Sequence, residues 1–284
     1  MNSYRELVAS YARWFQEGKN FPLGGFESVA VQPRVDAPTA LIFSPHPDDE
    51  GIIGGLALRL LREDGWRIAN VAVTQGSKKS RQSERLAELQ NACGYLGFDL
   101  IQTGPHGLER VNPQTRQSDP AFWAQSVAAI ARILAENKPA AIFFPHDADW
   151  NSSHIGTHWL VMDALATLGP DFSTALVETE YWGAMAAPNL MVELKEADVA
   201  DLVTEVSFHV GEVRRNPFHL LLPAWMQDNV RRGSEVVGGQ GQAAPSFGFA
   251  TLYRLQWWTQ GRIWKTQRAG RYLSATERPS SLFS

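Results

Sequence analysis

The chain has 284 residues, 44% of them hydrophobic, with ten tryptophans and a formal net charge of −4. That is enough apolar material for one large α/β domain or two small ones, and the mixed charge excludes a general attraction to nucleic acid or an anionic membrane. A single cysteine, Cys93, rules out an internal disulfide. Its place in the apolar series Leu86, Leu89, Cys93 and Leu96 makes it a packing residue.

Residues 1 to 20 carry Leu7, Tyr11, Trp14 and Phe15 near helical spacing, which predicts an amphipathic helix packed on the main body. The same stretch holds Arg5, Glu6, Arg13, Glu17 and Lys19 without a continuous apolar core. No later run reaches the roughly 18 apolar residues of a membrane span. Cytoplasmic residence without membrane insertion is the expectation. Lys19 to Pro38, with Gly24, Gly25 and three prolines, reads as an irregular lead-in. Residues 1–37 are therefore expected to form a helix and lead-in segment, and residues 38–284 a single domain.

Thr39 to Phe43 is a short apolar run that reads as a buried strand. It ends in Ser44-Pro45-His46-Pro47-Asp48-Asp49-Glu50, and Gly51 to Glu63 reads as a helix closed by Asp64-Gly65. A second strand is expected over Arg67 to Thr74, completing a right-handed βαβ unit. Gly51, Gly54 and Gly55 do not make the dinucleotide-binding glycine pattern. Arg81, Glu84, Arg85 and Glu88 repeat at helical distance, and Phe98 to Thr103 is a third strand candidate followed by a loop that contains His106.

Glu109 to Pro120 reads as a polar loop, Phe122 to Glu136 as a helix and Ala140 to Phe144 as another apolar strand. The next loop brings His146, Asp147, Asp149, Asn151, His154 and His158, and the helix after it runs to Leu168. Ala175 to Trp182 and Asn189 to Lys195 read as strands, and Glu196 to Arg215 as one helix. Phe247 to Trp264 is rich in aromatics, suited to closing a pocket, to an oligomer interface or to a hydrophobic terminal layer. Arg214-Arg215 and Arg231-Arg232 are solvated pairs or anion contacts. Ser280 to Ser284 reads as a loose tail.

The chemistry concentrates where the first strand meets its helix. Three carboxylates stand there beside one imidazole, and the carboxylates repel one another in the absence of a cation. A divalent metal such as Zn²⁺ accepts an imidazole nitrogen and a carboxylate oxygen and keeps a position for water. His46 and Asp49 are three apart, a spacing that a tight turn folds onto one ion, and Asp48 between them is free to take a proton from the water. A third ligand must come from elsewhere, and the loop after Phe144 is the best source, because sites in open α/β sheets gather outside the carboxyl ends of the strands. His154 and His158 have zincin-like spacing, but Ile155 stands where that motif needs a catalytic Glu. His146 is a candidate acid, because an imidazolium transfers a proton near neutrality. Asp149 is placed to orient a ligand histidine.

The Pro45-to-Glu50 stretch, joined to Ser153-His154-Ile155-Gly156-Thr157-His158, resembles the LmbE/PIG-L family of metal-dependent N-deacetylases. Val73-Thr74-Gln75-Gly76 and the Arg85-to-Glu88 helix also match its pattern. The resemblance implies a Rossmann-like three-layer α/β fold with a mainly parallel sheet. It further implies removal of an acyl group, usually acetyl, from the nitrogen of an amino sugar or related glycoconjugate. Carried over by position, it makes His46, Asp49 and His154 the ligands of Zn²⁺, with Fe²⁺ as the second candidate, and Asp48 the general base. Where the family commonly has His-Pro-Asp-His, this chain has Asn151-Ser152-Ser153-His154. Asn151 can donate to an oxyanion but cannot act as an acid at neutral pH. The expected partner is therefore a small N-acylated sugar or glycoconjugate, and a homo-oligomer is compatible with the sequence. The rivals are a metal-dependent hydrolase of another ester or phosphoester class and a non-catalytic sugar-binding relative.

Overall fold

A computed structural model describes residues 2–266 and 269–283. Nine strands form one sheet: β1 (Thr39–Ser44), β2 (Arg67–Ala72), β3 (Asp99–Gln102), β4 (Ala141–Pro145), β5 (Thr174–Thr179), β6 (Leu190–Leu194), β7 (Phe249–Thr259), β8 (Arg262–Thr266) and β9 (Arg271–Leu273). The order is β3-β2-β1-β4-β5-β7-β6-β9, with β8 paired to β7. From β3 to β5 every pairing is parallel. β7 then enters antiparallel between β5 and β6.

Ten helices accompany the sheet among the described residues: α1 (Ser3–Gly18), α2 (Asp49–Ile52), α3 (Gly55–Asp64), α4 (Gln82–Leu96), α5 (Pro113–Ser118), α6 (Pro120–Asn137), α7 (Ser152–Thr167), α8 (Glu196–Val206), α9 (Val210–Arg215) and α10 (Leu222–Val236). Alternation along the central strands explains the layers. Ala40 and Ile42 of β1 pack with Leu56, Leu60, Leu89 and Leu202 of α3, α4 and α8. Leu41 and Phe43 pack on the other face with Ile130, Leu134, Leu160 and Val161 of α6 and α7. A strand buried on both faces must be apolar throughout, which is why β1 reads as an unbroken run. The strand order reverses at β1, so right-handed crossovers send α3 and α4 to one face and α6 and α7 to the other.

Several elements differ from the sequence expectation. The helix expected over 51 to 63 is split at Ile53–Gly54 into α2 and α3, and the Tyr253 hydroxyl fills the break. It accepts from the Leu56 amide and donates to the Ile53 carbonyl, both at 3.0 Å. The helix expected over 196 to 215 is broken between α8 and α9, where Phe208 packs against Tyr95 and Phe26. The loop expected over 109 to 120 contains α5, whose first turn is capped by Asn112 Oδ1 accepting from the Thr115 amide at 2.8 Å. The aromatic segment 247 to 264 supplies β7 and so lies inside the sheet. The tail is a 3₁₀ turn, Pro279–Leu282, with Leu282 buried; Ser284 lies outside the described residues. In α1 only Gly18 is buried, and Tyr4, Leu7, Val8, Tyr11 and Trp14 are exposed. Apolar spacing there produces a helix but not the packed face expected of it.

Arg59 on α3 is fully buried. Its guanidinium donates to the carbonyls of Glu193, Ser274 and Glu277 at 2.9, 3.1 and 2.7 Å and to both oxygens of Glu63. It thereby ties the helix after the first motif to β6 and the C-terminal segment. Arg59→Met is expected to lower unfolding stability by about 3 kcal/mol in urea titration, because three carbonyls and a carboxylate lose their donors. Arg59→Lys recovers only part of this, since an ammonium cannot reproduce the fork.

Candidate metal centre and pocket

The strand order reverses between β1 and β4, which opens a crevice at their carboxyl ends. Both motif loops emerge there. The first is pinned by Thr74 Oγ1, which donates to the Pro45 carbonyl at 2.7 Å, and by the His46 amide donating to Asp49 Oδ2 at 2.9 Å. The second ends in the N-terminal turn of α7. Asn151 caps that helix, its Oδ1 accepting from the Ser153 amide at 2.9 Å, and His154 follows in the first turn.

The two loops bring His46, Asp49 and His154 together, with one donor atom from each inside a span of 4.8 Å. Asp49 Oδ2 lies 3.5 Å from His46 Nδ1 and 3.4 Å from His154 Nε2. Ligands at ~2.0–2.1 Å from a tetrahedral ion stand ~3.3 Å apart, so the spacing fits a shared divalent cation. His154 Nε2 is buried and has no hydrogen-bond partner, which is the state of a ligand atom aimed at an ion. Its other ring nitrogen, Nδ1, is 3.4 Å from Asp149 Oδ2. Asp149 is held in turn by the amides of Asn151 and Gly183, at 2.8 and 3.3 Å.

Asp48 is buried beside the trio in the left-handed region, at φ 114°. Burial and the neighbouring Asp49 push its carboxyl well above the usual range, against the opposing pull of His209 and Arg85. The Arg85 guanidinium lies 4.0 Å from it and donates to the Pro47 carbonyl. Burial alone would raise Asp49, but His154 and His46 override it and hold it far below the carboxylate range. Burial would lower His154, yet Asp49 and Asp149 raise it to about 10.

His46, Asp48, Asn151 and Ser153 line a pocket of about 680 Å³, together with Trp150 and Trp182. His146 does not join them. It is 1% exposed, its Nδ1 accepts from the Ala148 amide at 3.3 Å and its Nε2 donates to the Gly183 carbonyl at 2.9 Å. His158 is also set apart, with Nδ1 at 3.1 Å from the Pro145 carbonyl and 3.4 Å from Glu178. His106 is an exposed loop residue. Tyr181 packs on Trp225 and Trp182. Arg232 and Arg231 pair with Glu180 and Asp228, whereas Arg215 reaches the pocket wall. Sequence reasoning missed two features: Trp150, 71% exposed at the pocket, and a second buried cluster of Glu50, Glu205 and His209. Neither has a spacing signature, because the first is a lone aromatic and the second joins positions more than 150 apart.

A profile of the family described as PIG-L, GlcNAc-PI de-N-acetylase, matches residues 41–165. That stretch runs from β1 to α7 and contains all three donors. Over that segment, with its three donors, the chain is similar to metal-binding deacetylases. The similarity to the PIG-L family is confined to this segment, somewhat under half of the chain. The fold is shared with solved structures of low identity. One is N,N'-diacetylchitobiose deacetylase from Pyrococcus horikoshii, 16% identical over 89% of this chain and 93% of that one, with a TM-score of 0.55. A conserved protein from Thermus thermophilus is 19% identical over 76% and 93% of the two chains, with a TM-score of 0.56. The 4-carboxy-2-hydroxymuconate hydratase from Pseudomonas putida is 14% identical over 77% and 95%, at 0.55. Among curated proteins none matches the chain by sequence.

Because Asp149 orients His154 through its second ring nitrogen, Asp149→Asn is expected to weaken divalent-metal binding about 10–100-fold. Competition against a chromogenic chelator measures this, and His158→Ala is expected to leave the affinity unchanged.

Proposed function

We propose that the chain is a zinc-dependent N-deacetylase that removes an acyl group, acetyl foremost, from the nitrogen of an amino sugar or related glycoconjugate. The observation that carries the reading is the donor trio of His46, Asp49 and His154, with His46, Asp48 and Asn151 lining one pocket. His46, Asp49 and His154 would hold the ion. When bound, it supplies Lewis acidity, polarising the amide carbonyl and making a water acidic near neutrality. The donor set of two imidazoles and one carboxylate serves zinc well and suits Fe²⁺ too.

Asp48 takes the proton of the attacking water. Its raised pKa brings a carboxylate closer to the working pH, where a general base is most effective. Asn151 has committed Oδ1 to the helix cap, and no described residue accepts from its Nδ2. That N–H is free to donate to the oxyanion as it develops. His146 has both ring nitrogens engaged with backbone, so Asp48 itself returns the proton to the departing nitrogen. The family description supports an N-acetylated amino sugar. Trp150, exposed at the rim, offers the apolar face that a pyranose ring packs against. Among the described residues no helix is long and apolar enough to cross a membrane.

The test is release of free amine from a panel of N-acetylated sugars, repeated after chelation and metal restoration. Metal-dependent amine release is expected; phosphate or alcohol release in its place would refute the amide assignment. Asp48→Asn is expected to keep its metal and lose about 10²–10⁴-fold in kcat, and normal turnover in that variant would remove Asp48 as the base. Asn151→Asp keeps the acceptor that caps α7 but loses the donor, and its kcat is expected to fall about 10²-fold.

A further inference from the structure

Behind the trio lies the second cluster, in which Glu50, Glu205 and His209 are all fully buried. Its spacing differs from that of the first. His209 Nε2 is 2.8 Å from Glu50 Oε1, a hydrogen-bond length, whereas donors sharing one tetrahedral ion stand ~3.3 Å apart. His209 therefore donates to Glu50. The other oxygen of Glu50 accepts from the backbone amide of Asp48 at 3.1 Å. His209 and Asp48, 161 positions apart, thus meet on one carboxylate.

Asp48 has need of that bond. At φ 114° and ψ −24° it is a non-glycine residue in the left-handed region, a strained conformation that persists only when its surroundings enforce it. The same conformation lets neighbouring acids diverge: Asp49 turns to the histidines and Asp48 to the pocket. Glu50 is the group that holds the Asp48 amide, and Glu50 is itself held from α8 and from the start of α9.

Glu205 completes the arrangement. Its Oε2 occupies the space beside Gly51, where an added Cβ would stand 1.7 Å from it. Neither of its oxygens meets a donor, and burial together with Glu50 pushes its carboxyl well above the usual range. The two carboxyl groups lie together in the same buried cluster, and a proton on Glu205 removes the repulsion between them. Both Glu205 and His209 lie beyond residues 41–165, the segment matched by the family.

We propose that His209 and Glu205 are positioning residues for Asp48: they fix the Glu50 carboxylate, which fixes the backbone that presents Asp48 to the pocket. The proposal rests on the assignment of Asp48 as the base. It is tested on the full-length, metal-loaded protein by kcat, KM, metal content and amide hydrogen exchange of the peptide spanning 45–52. His209→Leu is expected to lose about 10²-fold in kcat, the scale of a small misplacement, with KM and metal content unchanged and faster exchange confined to that peptide. His209→Gln keeps an N–H donor and is expected to restore most of the rate and the protection. Glu205→Gln, which also keeps a donor, is expected to lose less than Glu205→Leu. Equal losses in the Leu and Gln variants that track a drop in Tm would mean packing alone and overturn the proposal. So would two metal ions per wild-type chain with one lost in Glu205→Gln, because the cluster would then be a cation site. Should wild type release no amine, the deacetylase reading fails on its own, and the exchange of residues 45–52 still decides whether His209 and Glu205 hold the Asp48 backbone.

Discussion

Three consecutive acids, Asp48, Asp49 and Glu50, are buried together at the carboxyl end of β1, and most of the surrounding structure answers that constraint. Ionised carboxylates withdrawn from water cost several kcal/mol each unless paired and hydrogen-bonded. Their negative charges also repel across a few ångströms in a medium that screens poorly. The chain solves this by giving each acid a different partner. Asp49 faces two imidazoles, Glu50 faces a third imidazole and a backbone amide, and Asp48 faces the pocket with an arginine 4.0 Å away. The left-handed turn at Asp48 is the local device that makes three directions available within three residues.

The fold supplies those partners from separate layers. β1 and β4 meet where the strand order reverses, so the second motif loop arrives opposite the first without a long excursion. The helices of the same layer and the C-terminal strands brace the helix behind the motif. Tyr253 of β7 bridges the break between α2 and α3, Arg59 binds the carbonyls of Ser274 and Glu277, and His209 reaches Glu50. Residues after 165 therefore do more than extend the sheet. They set the geometry of a site whose donors all lie before them.

The parallel half of the fold was legible in the sequence because its signals are local and repeated. Apolar runs such as Leu41-Ile42-Phe43 end at turn residues, and the helix read over Phe122 to Glu136 lies inside α6. The trio was legible because a histidine and an aspartate three apart have few other uses after a buried strand, and the resemblance supplied His154. The helix break at Ile53 was not legible, since it depends on a tyrosine hydroxyl 197 and 200 residues after its two partners in the chain. The placement of β7 inside the sheet was equally hidden, because an antiparallel strand rich in tryptophan has the same pattern at an edge, in a lid or in an interior position. The exposed apolar face of α1 marks the converse limit: periodicity reveals a face, not whether anything covers it.

Asn151 shows how a residue type is chosen by two demands at once. At the start of α7 it meets the helix's need for a side-chain acceptor, and asparagine is among the best residues for that role. The cap consumes the oxygen and leaves the nitrogen as a neutral donor, which can stabilise a developing negative charge but carries no proton to transfer. His146, the nearest sequence alternative, has both ring nitrogens engaged, by the Ala148 amide and the Gly183 carbonyl. The burden of proton movement therefore falls on one carboxylate, which must be ionised to accept a proton and then hold it long enough to give it away. A group with that double duty works best with a pKa raised toward the working pH. Burial and the adjacent Asp49 push Asp48 in that direction, and the hydrogen bonds that hold its backbone keep it in the place where the shift is useful.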